Sequence, residues 1–316
     1  MTDEDNGSSE FALTPKQSRI VDAIASLEQE PQRITYSHST LCQTSLPFKN
    51  TGTVRTWKNR NGDAVVVLTA GEAYDPSKAD TVELGLPYGA KPRLILLHLN
   101  SQAIKTQSPI IEVEDSLYAF LKVLRINPDG REYRRIKDQL GRLAAAHITI
   151  GRTEADGTGT TKWGRIVDTM NVFFPKDHHQ RILWPNTIQL SQSYFQSLCA
   201  HAVPLDHEAL YALRDSALEL DLYAMLAERL HRISPAKPHF IPWDALYQQY
   251  GSGFSRARDF RKHFVRHLGN VQAVYKSAHL EETKADDGHS RGITLFHSQP
   301  PVLKKNVVVF KPPSAQ

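Results

Sequence analysis

Residues 254–268 read FSRARDFRKHFVRHL and place four Arg, one Lys and two His among three Phe, a Val and a Leu. On a helix, one face of this stretch is apolar, with the spacing i, i+3, i+7 and i+11 at Ala257, Phe260, Phe264 and Leu268. The other face is polar and basic, and it carries Ser255, Asp259, Lys262 and Arg266, flanked by Arg258 and His263. We therefore predict an amphipathic helix that begins after Gly253 and ends at Gly269, with its Phe face in a core.

The charge of this helix needs an explanation, although many basic helix faces are simply solvated. Four Arg and one Lys against one Asp exceed what solubility requires, and Arg is suited to phosphate and guanine contacts. The whole chain of 316 residues has a net charge of only +4, whereas residues 251–276 hold six Lys or Arg and one Asp. Residues 1–14, in contrast, sum to −4. A basic patch on a nearly neutral chain indicates a polyanionic partner.

Composition and targeting signals limit the class of protein. A hydrophobic content of 40% and a charged content of 23% are ordinary for a globular protein, and the length suggests about two domains. Two distant cysteines, Cys42 and Cys199, do not form a disulfide framework. The N-terminus MTDEDNGSSE is too acidic for a signal peptide, and no run of about 18 apolar residues could span a membrane. We expect a cytoplasmic protein that does not enter a membrane.

The basic helix pattern occurs a second time, in REYRRIKDQLGRLAAAHITI at residues 131–150. Its apolar line is Tyr133, Ile136, Leu140 and Leu143, and its opposite line is Arg131, Arg135, Asp138 and Arg142, with the spacing seen from Ser255 to Arg266. After each helix we predict a strand, a polar turn and a second strand. After the helix at 131–143 these segments are HITIGR, EADGTGTT and KWGRIVDTMNVFF. After the helix at 254–268 they are NVQAVYK, EETKADDGHS and RGITLFHS. Helices followed by a β-hairpin are typical of a winged helix. The fold prediction is thus α+β, with tandem winged-helix (helix-turn-helix) domains that are mostly helical and carry β-hairpin wings; the alternative is chance recurrence in an ordinary α+β protein.

The remaining elements follow from periodicity and turn residues. We predict an acidic disordered tail at 1–14, an N-terminal winged-helix domain at 15–200, a C-terminal one at 201–303 and a tail at 304–316. In the first domain we expect helices at 15–28, 90–104 and 116–126, a hairpin at 53–69 and a strand at 109–113. In the second we expect helices at 206–213, 215–232 and 242–249, then a Gly-containing turn at 250–253 before the basic helix.

The sequence resembles the RepA-type plasmid replication initiators, which are related to TrfA. The resemblance covers most of the chain after the tail and rests on long ordered matches rather than on a short motif. The matching segments are LPF (46–48), GLPYGAKPRLIL (85–96), REYRRIKDQLGRL (131–143), VPLDHEALYALRDSALELDLYAMLAERL (203–230), IPWDALYQQYG (241–251) and FRKHFVRHL (260–268).

This resemblance implies tandem winged helices without an enzymatic cofactor. One domain contributes to dimerisation and accessory DNA contacts, and the other makes the main contacts to direct repeats of the origin, called iterons. Such proteins act as monomers on iterons, repress their own gene as dimers and recruit the host initiator and the replicative helicase. The DNA-binding residues that we predict are Ser255, Arg256, Arg258, Lys262, His263 and Arg266 on the second basic helix, Lys284, His289 and Arg291 on its wing, and Arg131, Arg135 and Arg142 on the first basic helix.

Three other functions remain open at this point. A dimeric repressor would have the same fold and bind an inverted repeat, and an interaction scaffold would have negligible DNA affinity. A nicking initiator would need a tyrosine nucleophile and a metal held by two His around a hydrophobic residue. The adjacent pair His178-His179 has no such residue between its members. Tyr247 and Tyr250 lie three apart with Tyr194 as a further tyrosine, and we expect Tyr247 and Tyr250 to be packing residues.

Overall fold

The structure, a computed structural model, describes residues 13–26, 32–75, 79–114, 116–153, 159–172, 185–285, 288 and 290–302. The helices are α1 (Pro15–Ser26), α2 (Ser39–Gln43), α3 (Ala90–Thr106), α4 (Leu117–Val123), α5 (Gly130–Ala145), α6 (Gln192–Ala200), α7 (His207–Leu213), α8 (Ala217–Arg229), α9 (Trp243–Tyr250) and α10 (Ala257–Val274). The strands are β1 (Ile34–His38), β2 (Thr56–Asn61), β3 (Ala64–Thr69), β4 (Glu72–Asp75), β5 (Asp80–Glu83), β6 (Ile110–Glu112), β7 (His147–Thr153), β8 (Gly159–Arg165), β9 (Val167–Val172), β10 (Pro185–Leu190), β11 (Ala202–Asp206), β12 (His239–Pro242), β13 (Leu280–Lys284) and β14 (Ser290–Leu295). Among the described residues, no helix combines the length and the apolar character that a membrane span requires.

Most predicted helices are confirmed, and side-chain caps explain where several begin. Asp129 accepts hydrogen bonds from two backbone amides at the start of α5, and Asp206 and Ser216 cap α7 and α8 in the same way. The predicted β2–β3 hairpin is also confirmed, with Asn61 opposite Ala64 and Gly62 at a φ of 55°. Local sequence therefore sets these element boundaries.

The strands of the described residues form five small antiparallel sheets. Their orders are β1-β11, β2-β3-β7-β8, β4-β5, β6-β10-β9 and β12-β14-β13. We predicted a single strand for the segment KWGRIVDTMNVFF, and this prediction is wrong. The chain changes sheets at Ile166, which is 1% exposed. The part before Ile166 pairs with β7, and the part after it pairs with β10.

The second basic helix differs from its predicted bounds at both ends. It begins at Ala257, which is exposed rather than part of the apolar face, so Ser255 and Arg256 precede it. It also continues through Gly269 to Val274, because Val271 and Val274 extend the buried stripe. The segment NVQAVYK is therefore mostly helical, not a strand. The first wing strand is Leu280–Lys284, of which 281–284 were predicted as part of a turn.

The parts of the chain before and after residue 200 pack on a shared core. Strand β1 pairs with β11 from Ile34–Asp206 to His38–Ala202, helix α1 packs on α7 and α10, and α3 packs on α8. A buried ion pair joins α3 to α8, since Arg93 Nε and Nη2 bind the two carboxylate oxygens of Asp221 at 2.6 and 2.7 Å. The proposed domain boundary at 200/201 stays a prediction, and the predicted tails lie almost wholly outside the described residues.

Candidate DNA interface

A cluster of aromatic rings fixes α10 on α9. Phe260 packs with its ring centroid 5.3 Å from that of Tyr247 and 5.7 Å from that of Phe254. One turn later, Phe264 meets the ring of Trp243 edge-on at 5.6 Å and that of Tyr250 at 5.9 Å. Both Phe side chains are buried. Aromatic pairs in this geometry add to the burial of apolar area, so the helix presents a fixed face to solvent.

That solvent face carries a line of cations. Arg258, Lys262 and Arg266 are exposed and lie at i, i+4 and i+8, so their backbones span about 12 Å along one side of the helix. In the described part of the chain, neither Arg258 nor Lys262 has a hydrogen bond or an ion pair. Ser255 and Arg256, also exposed, lie just before the first turn of α10, where free backbone amides favour anions. The face can therefore accept phosphates without first breaking an internal ion pair.

Two histidines support the third cation of this line. Arg266 Nη2 donates to His263 Nδ1 at 3.1 Å and lies 3.4 Å from His267 Nε2. The His263 ring packs on those of Phe254 and His267, at 5.1 and 4.1 Å between centroids. Partial burial lowers the pKa of His263, with a further contribution from the neighbouring His267 and Arg266. His263 thus positions Arg266 as a neutral hydrogen-bond acceptor.

A buried carboxylate anchors the inner side of the same helix to the N-terminal helix. Glu219 of α8 has a side chain that is 0% exposed, and its Oε1 lies 2.7 Å from His267 Nδ1. The same oxygen accepts from Asn270 Nδ2 at 2.7 Å and from Lys16 of α1. Burial acts to raise the pKa of Glu219, but the hydrogen bonds from His267, Lys16 and Asn270 outweigh it, and the pKa is lowered. A charged Glu219 therefore fixes α10 relative to α1 and α8.

The hairpin that follows α10 is mixed in charge. Lys284 and Arg291, both predicted DNA contacts, are exposed on β13 and β14. Exposed Glu281 and Glu282 lie on the same strand as Lys284, so the hairpin does not continue the basic surface of α10. Trp243 Nε1 donates to Ser290 Oγ at 2.7 Å and ties the hairpin to α9. His289 lies outside the described residues.

The arginines of the first basic helix differ in their exposure and in whether they have a carboxylate partner. Arg131 is exposed on the first turn of α5, and exposed Arg135 pairs with Glu132 at 2.9 Å. Arg142 is mostly buried: it binds Asp138 at 2.8 Å, donates to the Leu86 carbonyl at 3.3 Å and covers the Tyr88 ring. The guanidinium of Arg142 therefore already holds internal structure together, unlike Arg258 and Lys262.

One cation beside α10 was missed by sequence reasoning. Lys49 is exposed. Its Nζ lies 3.4 Å from the Gly253 carbonyl oxygen and 6.0 Å from the centroid of the Phe254 ring. It extends the basic surface past the start of α10 from a point more than 200 residues away in sequence. No periodic pattern marks it; the only signal is that it follows the LPF segment at 46–48.

The tyrosines considered as nucleophiles occupy packing positions. Tyr250 and Tyr194 are buried, and burial raises the pKa of both phenols. Tyr194 donates to Asn100 Oδ1 at 3.1 Å, and Tyr247 donates to the Phe254 carbonyl at 2.5 Å. Among the described residues, no group of three or more His, Cys, Asp or Glu could hold a metal, and His178-His179 lies outside them.

Comparisons with known proteins agree with the sequence resemblance. The family model described as plasmid encoded RepA protein matches residues 86–245, about half of the chain. Two crystal structures of domains 2 and 3 of RctB have TM-scores of 0.51 and 0.50 at 12% and 11% identity, covering 82% and 83% of this chain and 97% of each RctB chain. At this identity they show a similar mixed α+β fold, and no curated protein matches the sequence. The chain belongs to the family of plasmid-encoded RepA proteins.

Proposed function

We propose that this protein initiates plasmid replication by binding double-stranded DNA at direct repeats of the origin through the exposed face of α10. The single observation that carries the proposal is the line of Arg258, Lys262 and Arg266 on a helix that is fixed by aromatic packing. None of the three has a carboxylate partner among the described residues. An α-helix fits the major groove, and Arg and Lys there can reach guanine edges as well as phosphates.

The winged-helix interpretation is part of this proposal. The element order α9, turn, α10 and hairpin β13–β14 is that of a helix-turn-helix with one wing. Lys284 and Arg291 would then reach the backbone or the minor groove, while Arg131 and Arg135 are candidates for accessory contacts by the first unit. We propose no catalytic step and no cofactor. Self-association, the host initiator and the replicative helicase belong to the same proposal through family membership alone.

A DNase footprint tests the proposal most directly. Purified protein would be placed on the DNA that flanks its own gene, at two salt concentrations. We expect protection of direct repeats in phase, at multiples of roughly 10.5 bp, and weaker protection at the higher salt. A single protected inverted repeat would instead identify a repressor. Absence of protection at both salt concentrations would contradict DNA binding by α10.

A further inference from the structure

A cavity of about 160 Å³ lies between α3, α4 and α7, in a part of the fold that the DNA proposal does not use. Its apolar lining includes Leu94, Leu97, Val123 and Leu210. An engineered protein cavity of about 150 Å³ is large enough to bind benzene. The space therefore suits one aromatic or branched side chain and is too small for a nucleotide or a drug-sized ligand.

The lining of this cavity also includes three cations and two histidines. None of its residues is Asp or Glu, and the basic ones are His98, Lys105, Arg125, His207 and Arg214. A neighbouring carboxylate, Glu208, already binds Arg125 through two contacts of 2.6 and 2.8 Å. Within the described part of the chain, neither Lys105 nor Arg214 forms an ion pair. The rim can therefore accept additional negative charge.

Burial is the main cause that lowers the pKa of these groups, and neighbouring positive charges add to it. Burial lowers the pKa of His98 to about 4, and Lys105 and His207 lower it further. Burial also lowers the pKa of His207, with Arg125 contributing, and that of Lys105, with Arg33 contributing. A bound anion would stabilise the protonated forms of these groups.

The side chains of Arg125 and Arg214 share one aromatic ring. Their guanidinium carbons lie over the Tyr211 ring, 4.4 and 4.1 Å from its centroid. The φ of 51° at Arg125 belongs to the left-handed cap that ends α4, because the amides of Arg125 and Ile126 donate to the carbonyls of Lys122 and Leu121. The cap and the Tyr211 ring therefore hold the Arg125 guanidinium beside the cavity.

We infer that this cavity and its basic rim form a docking site for a partner protein, which inserts one aromatic or branched side chain flanked by Asp or Glu. The apolar walls receive the anchor, and Lys105 and Arg214 bind the flanking carboxylates. An anchor side chain in a desolvated pocket with a polar rim is the usual source of affinity at protein interfaces. The polar lining also includes Thr35, Ser101 and Gln102. The cavity admits one side chain but not a whole nucleotide, which favours a peptide over single-stranded DNA.

The test uses the full chain and two fluorescent peptides, Asp-Glu-Phe-Glu-Asp and Asp-Glu-Ala-Glu-Asp, with anisotropy as the measurement and no duplex DNA present. We expect the Phe peptide to bind at least about tenfold tighter than the Ala peptide. Leu97→Trp, which fills the cavity, and Lys105→Glu should each weaken the Phe peptide by a similar factor. Lys122→Glu on α4 is the matched control, because Lys122 does not line the cavity, and it should change little.

A second readout separates docking from nonspecific charge attraction. Binding of the Phe peptide should raise the pKa of His98, measured by NMR, because a carboxylate nearby stabilises the imidazolium. Equal binding of the two peptides, or equal effects of Lys105→Glu and Lys122→Glu, would overturn the inference. So would binding of an oligo-dT strand or of 3-phenylpropionate in place of the Phe peptide. Because no duplex is present, failure here leaves the footprint result untouched.

Discussion

Removal of the cation line on α10 should reduce the salt dependence of DNA binding by a calculable amount. In Arg258→Ala/Lys262→Ala/Arg266→Ala, three side chains that have no internal carboxylate partner among the described residues are lost. Each phosphate contact contributes about 0.9 to the slope of log K against log salt concentration, so three contribute about 2.7. Between 50 and 200 mM salt, the wild-type affinity should therefore fall roughly 40-fold more than that of the variant.

Fluorescence anisotropy on a duplex of about two helical turns, roughly 21 bp, measures this slope over several salt concentrations. The control is Lys122→Ala/Lys237→Ala, which removes two exposed cations away from α10 and should leave the slope unchanged. A triple variant with the wild-type slope would refute the assignment of phosphate contacts to this face, even if its affinity were lower. An equal loss of slope in the control would show that net charge rather than the α10 surface controls binding.

Three further predictions concern stability and are measured by urea denaturation. Arg93→Met should lower the free energy of unfolding by about 3–5 kcal/mol, because it leaves Asp221 buried without its ion-pair partner. The double variant Arg93→Met/Asp221→Leu should lose clearly less than the sum of the two single variants. Strict additivity would show that the two side chains do not stabilise each other. Burial lowers the folded-state pKa of His98 to about 4, so His98 destabilises the fold as pH falls from about 6.5 to about 4, by at most roughly 3 kcal/mol. His98→Leu should remove that part of the acid sensitivity. An unchanged dependence of unfolding free energy on pH in this variant would contradict the prediction. Arg142→Ala should cost about 1–3 kcal/mol through its lost partners, whereas exposed Arg135→Ala should stay within about 0.5 kcal/mol, and equal effects would mean that the contacts of Arg142 contribute little.

Elements with a strong local signal were predictable, and those defined by partners distant in sequence were not. Helices α5, α7 and α8 have capping side chains and apolar stripes that appear in any reading of the sequence. Strand β1, with the sequence ITYSH, was missed because its pairing partner lies about 170 residues away in β11. Its buried Thr and Ser side chains do not produce the apolar alternation on which strand prediction depends.

The end of α10 shows how tertiary packing overrides a local stop signal. Gly269 is exposed, and a side chain there would meet no neighbour, so nothing in the fold requires the helix to end at that point. The buried Val271 and Val274 favour about one and a half more turns, and their packing outweighs the roughly 1 kcal/mol cost of one helical glycine. The wing strands then shift toward the C-terminus, which is why EETK is a strand and not a turn.

The comparison of α5 with α10 shows what charge spacing alone cannot determine. Both helices carry polar residues at i, i+4, i+7 and i+11, and the sequence treats their arginines alike. In the fold, Arg142 of α5 is bound by a carboxylate, a carbonyl and a tyrosine ring, whereas Lys262 of α10 has no partner within the described residues. A cation that is already paired with a carboxylate releases little free energy on meeting a phosphate, because one ion pair is exchanged for another. The availability of each cation, rather than the number of cations, therefore favours α10 over α5 as the DNA-binding helix.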